Sequence, residues 1–231
     1  MSLSFSPKTD VFPAAVALSA RTPWTTEPAA RESGLPSIGP VLHFAQDQEI
    51  YGEGDDADVF FKVVSGVVRT CKFLSDGRRL IDAFHVAGDI FGVEAGADYS
   101  FSSEAVCDCT IISYRRRGLE DSASRDFGLS QHLFSYAMRS LARAQVHALL
   151  LGRRSAVEKV AAFLVDWATH STNTGTVTLE MTRQDIADYL GLTIETVSRT
   201  LSQFERDGVI QFSTARHIRL KDAAALHDLN A

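Results

Sequence analysis

The chain has 231 residues, of which 45% are hydrophobic and 23% charged, a composition typical of a globular protein with two modest domains. No run approaches the ~18 apolar residues of a membrane-spanning helix, so we expect no membrane partner. The net charge of −6 argues against a strongly basic protein that coats nucleic acid non-specifically. The count of only three cysteines argues against a disulfide framework.

The first 40 residues are rich in Pro, Ala, Ser and Thr and show no sustained period. Residues 1–40 are therefore predicted to form a loosely ordered arm. Within it, residues 12–20 imitate a signal peptide poorly, because Asp10 stands where positive charge is needed and Pro13 interrupts the apolar stretch. We expect a cytoplasmic protein.

Residues 41–122 consist of short runs rich in β-branched and aromatic side chains, separated by turns that contain Gly, Asp or Ser. Many short strands closed by such turns are typical of an antiparallel β-roll or barrel. One turn, at residues 75–79, is expected to form an exposed charged tip. The strands are predicted at residues 59–64, 66–73, 79–84 and 106–114.

Two of the cysteines, Cys107 and Cys109, stand two residues apart, a spacing that places both sulfurs on one face of a strand. A zinc or iron–sulfur site would need further ligands nearby, and free cysteine is more often a small buried hydrophobe. We therefore predict no metal at these residues.

From residue 126 the apolar period becomes helical. Spacings of seven, four, three and seven residues form a coiled-coil seam over residues 126–151, and Leu133 and Ala137 widen the apolar face. A helix with two apolar faces needs two partners, which we predict to be its own β-roll and the same helix of a second subunit. One wide core face in a monomer is the alternative. The dimerisation seam comprises Phe127, Phe134, Met138, Leu141 and Ala148.

Residues 152–155, Gly-Arg-Arg-Ser, are typical of a hinge, and residues 155–231 form the second predicted domain. This domain opens with an amphipathic helix, because its apolar positions recur at helical spacing. Those positions are Val157, Val160, Ala161, Leu164 and Trp167.

Two short helical patterns meet at a glycine within residues 182–206. Thr182 can cap the first helix, with Asp185 reaching back to it. Gly191 ends that helix, since glycine turns tightly without steric cost, and Thr193 opens the second helix. The arrangement predicts a helix-turn-helix, whose second helix lies in the major groove of double-stranded DNA. The inward positions are Ile186, Ala187, Leu190, Val197, Leu201 and Phe204.

The second helix of this pattern has one polar side, because Glu195, Ser198 and Arg199 stand at i, i+3 and i+4. A guanidinium matches the O6 and N7 acceptors of guanine, and a carboxylate accepts from the cytosine amino group. A surface Glu–Arg pair, worth only about 0.3–0.5 kcal/mol, is the alternative, but the helix-turn-helix frame favours base reading. Candidate contacts to the DNA backbone are Thr182, Arg183, Thr193, Thr196 and Arg216.

After this helix, residues 209–212 and 217–220 show the period-two pattern of a half-buried hairpin. The hairpin would form a wing, where Arg216 and Arg219 either contact phosphates or remain solvated. Residues 151–231 carry nine Lys/Arg and ten Asp/Glu. DNA binding would therefore rest on locally placed arginines rather than on bulk charge.

The order of β-roll, long helix, hinge and winged helix-turn-helix is an α+β architecture. Over residues 42–222 it resembles the CRP/FNR family of bacterial transcription regulators. Residues 54–57 and 61–68 resemble the barrel signature of that family, and residues 88–92 its central loop. The most specific part is residues 194–199, whose Glu-x-x-Ser-Arg is the reading triplet of the FNR type.

The resemblance implies a homodimer on an inverted repeat related to TTGAT…ATCAA. Glu195 and Arg199 would address the central G·C pair of each half, and Ser198 an outer thymine. Activation would also need RNA polymerase as a partner. Candidates for that contact are Asp76, Arg78 and Arg79 in the charged tip, for which a plain solvated turn is the alternative.

Cyclic-nucleotide binders of the family place a Glu after the second Gly of the central loop and an Arg about ten residues on. Here Val93 follows Gly92, and residues 99–103 hold no cation. A buried phosphate would therefore be unpaired and costly. The N-terminal arm also has no cysteine for an FNR-type iron–sulfur cluster.

Without residues for a cyclic nucleotide or an iron–sulfur cluster, the chain resembles the FixK branch of the family. Members of that branch read DNA with the FNR-type triplet and use neither ligand. In that branch an oxygen-responsive system controls the amount of protein, and targets include microaerobic respiration and nitrogen-fixation genes. We expect a transcription activator without a cofactor, not an enzyme. The alternative is an effector-dependent regulator whose β-roll binds a small molecule, or haem on His43, His85 or His147.

Overall fold

The structure is a computed structural model that describes residues 39–117, 127–153, 155–170 and 175–230. The arm predicted over residues 1–40 lies outside these ranges except for Gly39 and Pro40. Within the described ranges, no helix is long and apolar enough to cross a membrane.

The N-terminal unit is a β-roll of antiparallel strands, as the short apolar runs predict. Its strands are β1 (Val41–Phe44), β2 (Glu49–Tyr51), β3 (Val59–Ser65), β4 (Val68–Phe73), β5 (Arg79–His85), β6 (Ile90–Phe91), β7 (Ser102–Ala105) and β8 (Cys109–Arg115). They pair in two four-stranded sheets, in the orders β1-β8-β3-β6 and β2-β7-β4-β5. Phe61, Val63, Cys109 and Ile111 are part of the buried core of the roll.

Local geometry accounts for two differences from the predicted strands. Gly66 has φ +86°, and an added Cβ would lie 2.6 Å from the carbonyl oxygen of Asp108, so the chain turns there and β4 begins only at Val68. Cys107 precedes β8 and packs against a different core cluster from Cys109. The expectation that both sulfurs share one strand face was therefore wrong.

One long helix, α1 (Phe127–Arg153), follows the β-roll. On one side, Leu133 and Tyr136 pack against the cluster that includes Phe60 and Ile90, and the Tyr136 hydroxyl donates to the carbonyl oxygen of Ile90 at 2.8 Å. The other side carries the apolar seam, which is exposed among the residues that the structure describes. Phe127 is 84% exposed, Phe134 67%, Met138 49% and Leu141 51%, and Ala148 is also exposed.

The C-terminal unit combines helices with a small sheet. Its elements are α2 (Ala156–Ala168), β9 (Thr176–Thr178), α3 (Arg183–Leu190), α4 (Ile194–Arg206), β10 (Ile210–Phe212), β11 (His217–Leu220) and α5 (Ala223–Asn230). Ser155 caps α2 in a reciprocal box with Glu158. β10 and β11 form the predicted hairpin, and β9 adds a third strand beside β11. The indole N–H of Trp167 donates to the carbonyl oxygen of Thr178 at 2.8 Å, which ties α2 to this sheet.

The two units share an apolar interface. Phe84 of β5 lies 5.8 Å from Trp167, 6.5 Å from Phe163 and 5.4 Å from Tyr189, measured between ring centroids. All four side chains are buried. The β-roll therefore packs directly on α2 and α3.

Candidate DNA-binding site

The first helix of the helix-turn-helix, α3, begins and ends where the sequence predicts. Thr182 Oγ1 accepts from the N–H of Asp185 at 3.1 Å, and the Asp185 carboxylate accepts from the N–H of Thr182 at 2.9 Å. At the other end, Gly191 has φ +61° and its N–H bonds the carbonyl oxygen of Ala187. A left-handed backbone costs other residues about 1–2 kcal/mol, so glycine favours the tight turn into the next helix.

The second helix, α4, has a fixed orientation about its own axis. Thr193 caps it by accepting from the N–H of Thr196 at 3.3 Å. Val197, Leu201 and Phe204 are 0%, 1% and 2% exposed. Because these three side chains are packed in the core, the opposite side of α4 faces outward.

The outward side of α4 carries the three candidate base-reading residues. Glu195 and Arg199 are exposed, and Ser198 is half-buried. The pKa of Glu195 lies below its ordinary value, chiefly because the carboxylate accepts a hydrogen bond from its own backbone N–H and then from the Thr193 hydroxyl, with the Arg199 charge contributing less. Glu195 is therefore an ionised acceptor at neutral pH.

Four of the candidate backbone contacts surround the start of the two helices. Thr182 is exposed and Arg183 half-buried, and the Arg183 guanidinium lies 5.4 Å from the centroid of the Phe212 ring. The hydroxyls of Thr193 and Thr196 are 3.0 Å apart. The start of α4 thus presents hydroxyl groups beside the candidate base-reading residues.

The fifth candidate, Arg216, lies in the turn between β10 and β11 and is exposed. The Thr214 hydroxyl accepts from the N–H of Arg216 at 3.3 Å and from that of His217 at 3.1 Å. This threonine orders the turn, so the arginine extends from a defined wing.

Two residues on either side of the junction between α1 and α2 hold the end of α3, and the sequence pattern did not indicate this role. His147 Nε2 donates to the carbonyl oxygen of Tyr189 at 2.8 Å, since a carbonyl can only accept. Lys159 Nζ donates to the carbonyl oxygens of Leu151 and Leu190, both at 3.1 Å. Both residues are buried. In the sequence, Lys159 could have been recognised as a cation within the apolar face of a predicted helix.

Two arginines of the β-roll hold the start of α3. Arg69 donates to Glu104 at 2.8 Å and to Asp185 at 3.2 Å. Arg79 donates to Asp188 at 2.8 Å and also pairs with Asp185. No local sequence signal indicates these pairs, because Arg69 and Asp185 are 116 residues apart.

The three candidate polymerase contacts do not lie together. Asp76 and Arg78 form an ion pair of 2.7 Å in the exposed turn between β4 and β5, and hydrogen bonds from Arg78 lower the pKa of Asp76. The Arg79 side chain is only 18% exposed and faces α3. The exposed tip therefore presents Asp76 and Arg78 without Arg79.

Aromatic side chains pack around Gly92, the second glycine of the central loop. Tyr51 stacks on Tyr99 with ring centroids 3.7 Å apart, and a Cβ added to Gly92 would lie 3.3 Å from each of these rings. The Glu94 carboxylate accepts from the N–H of Ser100 at 3.1 Å and from its hydroxyl at 2.8 Å. Both donors of Ser100 are therefore bonded to a carboxylate of the chain itself.

The three histidines considered for haem lie apart, on β1, β5 and α1. His43 Nδ1 is 3.1 Å from the Thr110 hydroxyl, and His85 Nε2 is 3.2 Å from the Thr70 hydroxyl. Burial lowers the pKa of His85 to about 4, while His147 bonds α3. In the part of the chain that the structure describes, no three His, Cys, Asp or Glu side chains are grouped to hold a metal ion.

The fold and the site define a winged helix-turn-helix regulator with a β-roll domain. Residues 41–126 match the family model of the cyclic nucleotide-binding domain. Residues 158–229 match the Crp-like helix-turn-helix domain. The matches cover the β-roll and the C-terminal unit respectively.

The chain is similar over most of its length to nitrogen fixation regulators. It is 46% identical over 213 residues to the nitrogen fixation regulation protein FixK of Azorhizobium caulinodans, covering 88% of this chain and 86% of that protein. FixK of Rhizobium meliloti is 41% identical over 196 residues, with coverages of 84% and 90%. The solved structure of FixK2 from Bradyrhizobium japonicum has a TM-score of 0.81 at 43% identity, covering 84% of this chain and 98% of that one. The chain belongs to the CRP/FNR family of transcription regulators, within its FixK branch, and is not an enzyme.

Proposed function

We propose that the protein is a cytoplasmic transcription activator that binds palindromic DNA related to TTGAT…ATCAA as a homodimer. The observation that carries this proposal is the outward position of Glu195, Ser198 and Arg199 on a helix whose other side is buried. Arg199 would bind guanine and Glu195 the cytosine amino group of the same base pair. Ser198 would contact an outer thymine.

Phosphate contacts would fix the register of the recognition helix without reading sequence. The starts of α3 and α4 provide hydroxyl groups for this purpose, and the wing provides a cation. The residues proposed for these contacts are Thr182, Arg183, Thr193, Thr196 and Arg216.

The exposed seam of α1 supports a homodimer. Phe127, Phe134, Met138 and Leu141 are each about half exposed or more, and they recur at the spacing of a coiled-coil interface. A second copy of α1 would cover them. Two-fold symmetry would then set the two recognition helices about 34 Å apart, one turn of DNA, which is the geometry of an inverted repeat.

The absence of a cation from residues 99–103 supports activity without a cyclic nucleotide, because a buried phosphate would have no partner there. The N–H and the hydroxyl of Ser100 already bond the Glu94 carboxylate. The first 40 residues contain no cysteine for a cluster. We propose that the protein binds DNA without a cofactor and that its abundance sets its activity on microaerobic respiration and nitrogen-fixation genes.

An effector-dependent regulator is the second candidate. Within the described residues, His85 Nδ1 is buried in the β-roll without a hydrogen-bond partner, and a small polar molecule would satisfy it. In that case the protein would bind its DNA selectively only after this molecule is added.

Activation further requires a surface for RNA polymerase. The exposed pair of Asp76 and Arg78 at the β4–β5 turn is the proposed contact. Arg79, which follows this turn, pairs instead with Asp188 of α3. Substitution of Asp76 and Arg78 together by alanine should lower transcription from a target promoter and leave DNA affinity unchanged.

The test is binding of aerobically purified, ligand-free protein to a TTGAT…ATCAA duplex and to a scrambled duplex by fluorescence anisotropy. At about 0.15 M salt we expect a preference of roughly 10³-fold or more for the palindrome. Equal binding to both duplexes would refute the proposal. Selectivity that appears only with a copurified molecule, identified by mass spectrometry, would favour the effector-dependent alternative.

A further inference from the structure

The helix-turn-helix is held at both ends of α3. His147 and Lys159 donate to carbonyl oxygens of its last turn. Arg69 and Arg79 of the β-roll bond carboxylates in its first two turns. A helix held at two separated points cannot rotate independently, so α3 and the attached α4 have one orientation relative to the β-roll and α1.

At the start of α3, the contact with the β-roll is made by charged groups, and the central pair of Arg69 and Asp185 has little access to water. Arg69 Nη1 lies 3.2 Å from Asp185 Oδ1, and Arg79 Nε lies 2.8 Å from Asp188 Oδ2. The side chains of Arg69 and Asp185 are 7% and 2% exposed, so salt screens this pair little. We name the set the arginine clamp; it comprises Arg69, Arg79, Asp47, Glu104, Asp185 and Asp188.

One carboxylate of the clamp has two roles. Asp185 Oδ2 accepts from the N–H of Thr182 and so begins α3, while Asp185 Oδ1 accepts from Arg69 and Arg79. The Asp185 carboxylate therefore both caps α3 and binds the two arginines of the β-roll. Any displacement of the β-roll relative to α3 would have to break either the clamp or the helix cap.

We infer that Arg69 and Arg79 are positioning residues for DNA reading, which fix α4 at the angle that half-sites one turn apart require. This inference rests on the proposed function. In a two-fold dimer an altered angle appears in both subunits, so it would impair simultaneous binding of two half-sites. A single half-site needs only one recognition helix and is insensitive to that angle.

The test uses the full-length protein with Arg79→Gln, because Arg79 lies at the edge of the clamp. Lys72→Gln is the matched control, since Lys72 is also a β-roll cation in a 2.7 Å ion pair, but with Glu53 and with both side chains exposed. Arg79→Lys tests whether a cation without the planar fork restores function in part. Asp188→Asn removes the same contact from the α3 side if Arg79→Gln does not fold.

Binding is measured on the palindrome, on an isolated half-site and on palindromes lengthened or shortened by one and two base pairs. We expect Arg79→Gln to lose about tenfold on the palindrome and less than about threefold on the half-site, because only the palindrome needs both helices engaged. Its preference for the native spacing should fall, Arg79→Lys should lie between, and Lys72→Gln should match the unmutated protein. Equal losses on both duplexes would overturn the inference.

Hydrogen exchange in the DNA-free protein separates this inference from the proposed function. Arg79→Gln should speed exchange of the α3 amides by about fivefold, as expected for a loosened local unit, whereas Lys72→Gln should not. Selective DNA binding by the unmutated protein, combined with unchanged exchange and spacing preference in Arg79→Gln, overturns the inference alone. Unselective binding by the unmutated protein overturns the proposed function and the positioning role with it.

Discussion

The imidazole of His147 stacks on the ring of Tyr189, with centroids 4.1 Å apart and 7° between the planes. His147 belongs to α1 and Tyr189 to α3, so the long helix touches the helix-turn-helix directly. Burial lowers the pKa of His147 below its ordinary value, and the neutral ring donates from Nε2 to the Tyr189 carbonyl oxygen. Packing changes along α1 can therefore reach α3 through this contact.

Two replacements of His147 should distinguish the contribution of the ring stack to stability from that of the hydrogen bond. His147→Ala removes both and leaves a buried carbonyl oxygen without its donor, for which we expect a loss of about 2–3 kcal/mol in the free energy of unfolding. His147→Phe keeps a ring on Tyr189 and should lose about 1 kcal/mol less. Urea denaturation measures both, and an unchanged free energy in His147→Ala would contradict the contact.

Two glycines near the end of α1 should respond to alanine with opposite signs. Gly191 has φ +61°, and an added Cβ would lie 3.4 Å from Leu151 Cδ2. Gly191→Ala should therefore destabilise the protein by about 1–2 kcal/mol. Gly152 lies exposed in α1, and apart from the local helix backbone no described residue comes within 4 Å of an added Cβ, so Gly152→Ala should stabilise by up to about 1 kcal/mol. Thermal unfolding that shifts in the same direction for both variants would contradict this assignment.

A charge in the α1 seam should dissociate the proposed dimer. Phe134 is 67% exposed in the single chain, and burial of a phenylalanine from each subunit contributes about 3–6 kcal/mol in total. We expect Phe134→Glu to raise the dimer dissociation constant more than about a hundredfold, as measured by analytical ultracentrifugation.

Phe73→Glu is the control for the dimer test. Phe73 is comparably exposed, at 57%, but it ends β4 of the β-roll and is not part of the α1 seam. This variant should remain dimeric. Dissociation by both substitutions, or by neither, would show that the seam of α1 is not the interface.

The buried carboxyl of Asp166 should make stability depend on pH. Within the described residues its Oδ1 has no hydrogen-bond partner, and burial raises its pKa from 3.8 to about 8, against a smaller lowering by Arg143. Between these values the unfolded chain has released the proton and the folded protein retains it. The favourable contribution, complete below pH 3.8, is therefore lost as pH rises towards 8.

Asp166→Asn removes this titration. We expect the stability of the variant relative to the unmutated protein to increase by about 1.4 kcal/mol per pH unit between pH 5 and 7. Urea denaturation at pH 5, 6 and 7 gives the slope, and the other titrating groups cancel in the difference. A difference that does not change with pH would contradict a raised pKa.

The helix-turn-helix was predictable from the sequence because its determinants are local. The caps at Thr182 and Thr193 use side-chain bonds that span three residues, and Gly191 marks the turn by its backbone freedom. The outward position of Glu195 and Arg199 follows from the apolar spacing of the same helix. Each of these signals lies within one or two helical turns of its effect.

The parts that could not be predicted depend on distant partners. Strands β1, β2, β6 and β7 have two to four residues each, too few for an alternating pattern, and β9 is stabilised by pairing with the remote β11. Arg79 adjoins a charged turn in sequence, which suggested solvent exposure together with Asp76 and Arg78. Its side chain instead meets Asp188, 109 residues further on, a pairing that no local pattern encodes.

The most direct test of base reading is a cycle that combines Arg199→Ala with a change of the central G·C pair to A·T in both half-sites. Arg206→Ala is the control, because Arg206 is an exposed arginine at the other end of α4. In the unmutated protein and in Arg206→Ala, the base change should cost about 1–3 kcal/mol per half-site. In Arg199→Ala, that cost should largely vanish, since the guanine contact is already absent. If Arg199→Ala still discriminates between the two duplexes as strongly as the unmutated protein, Arg199 does not read this base pair.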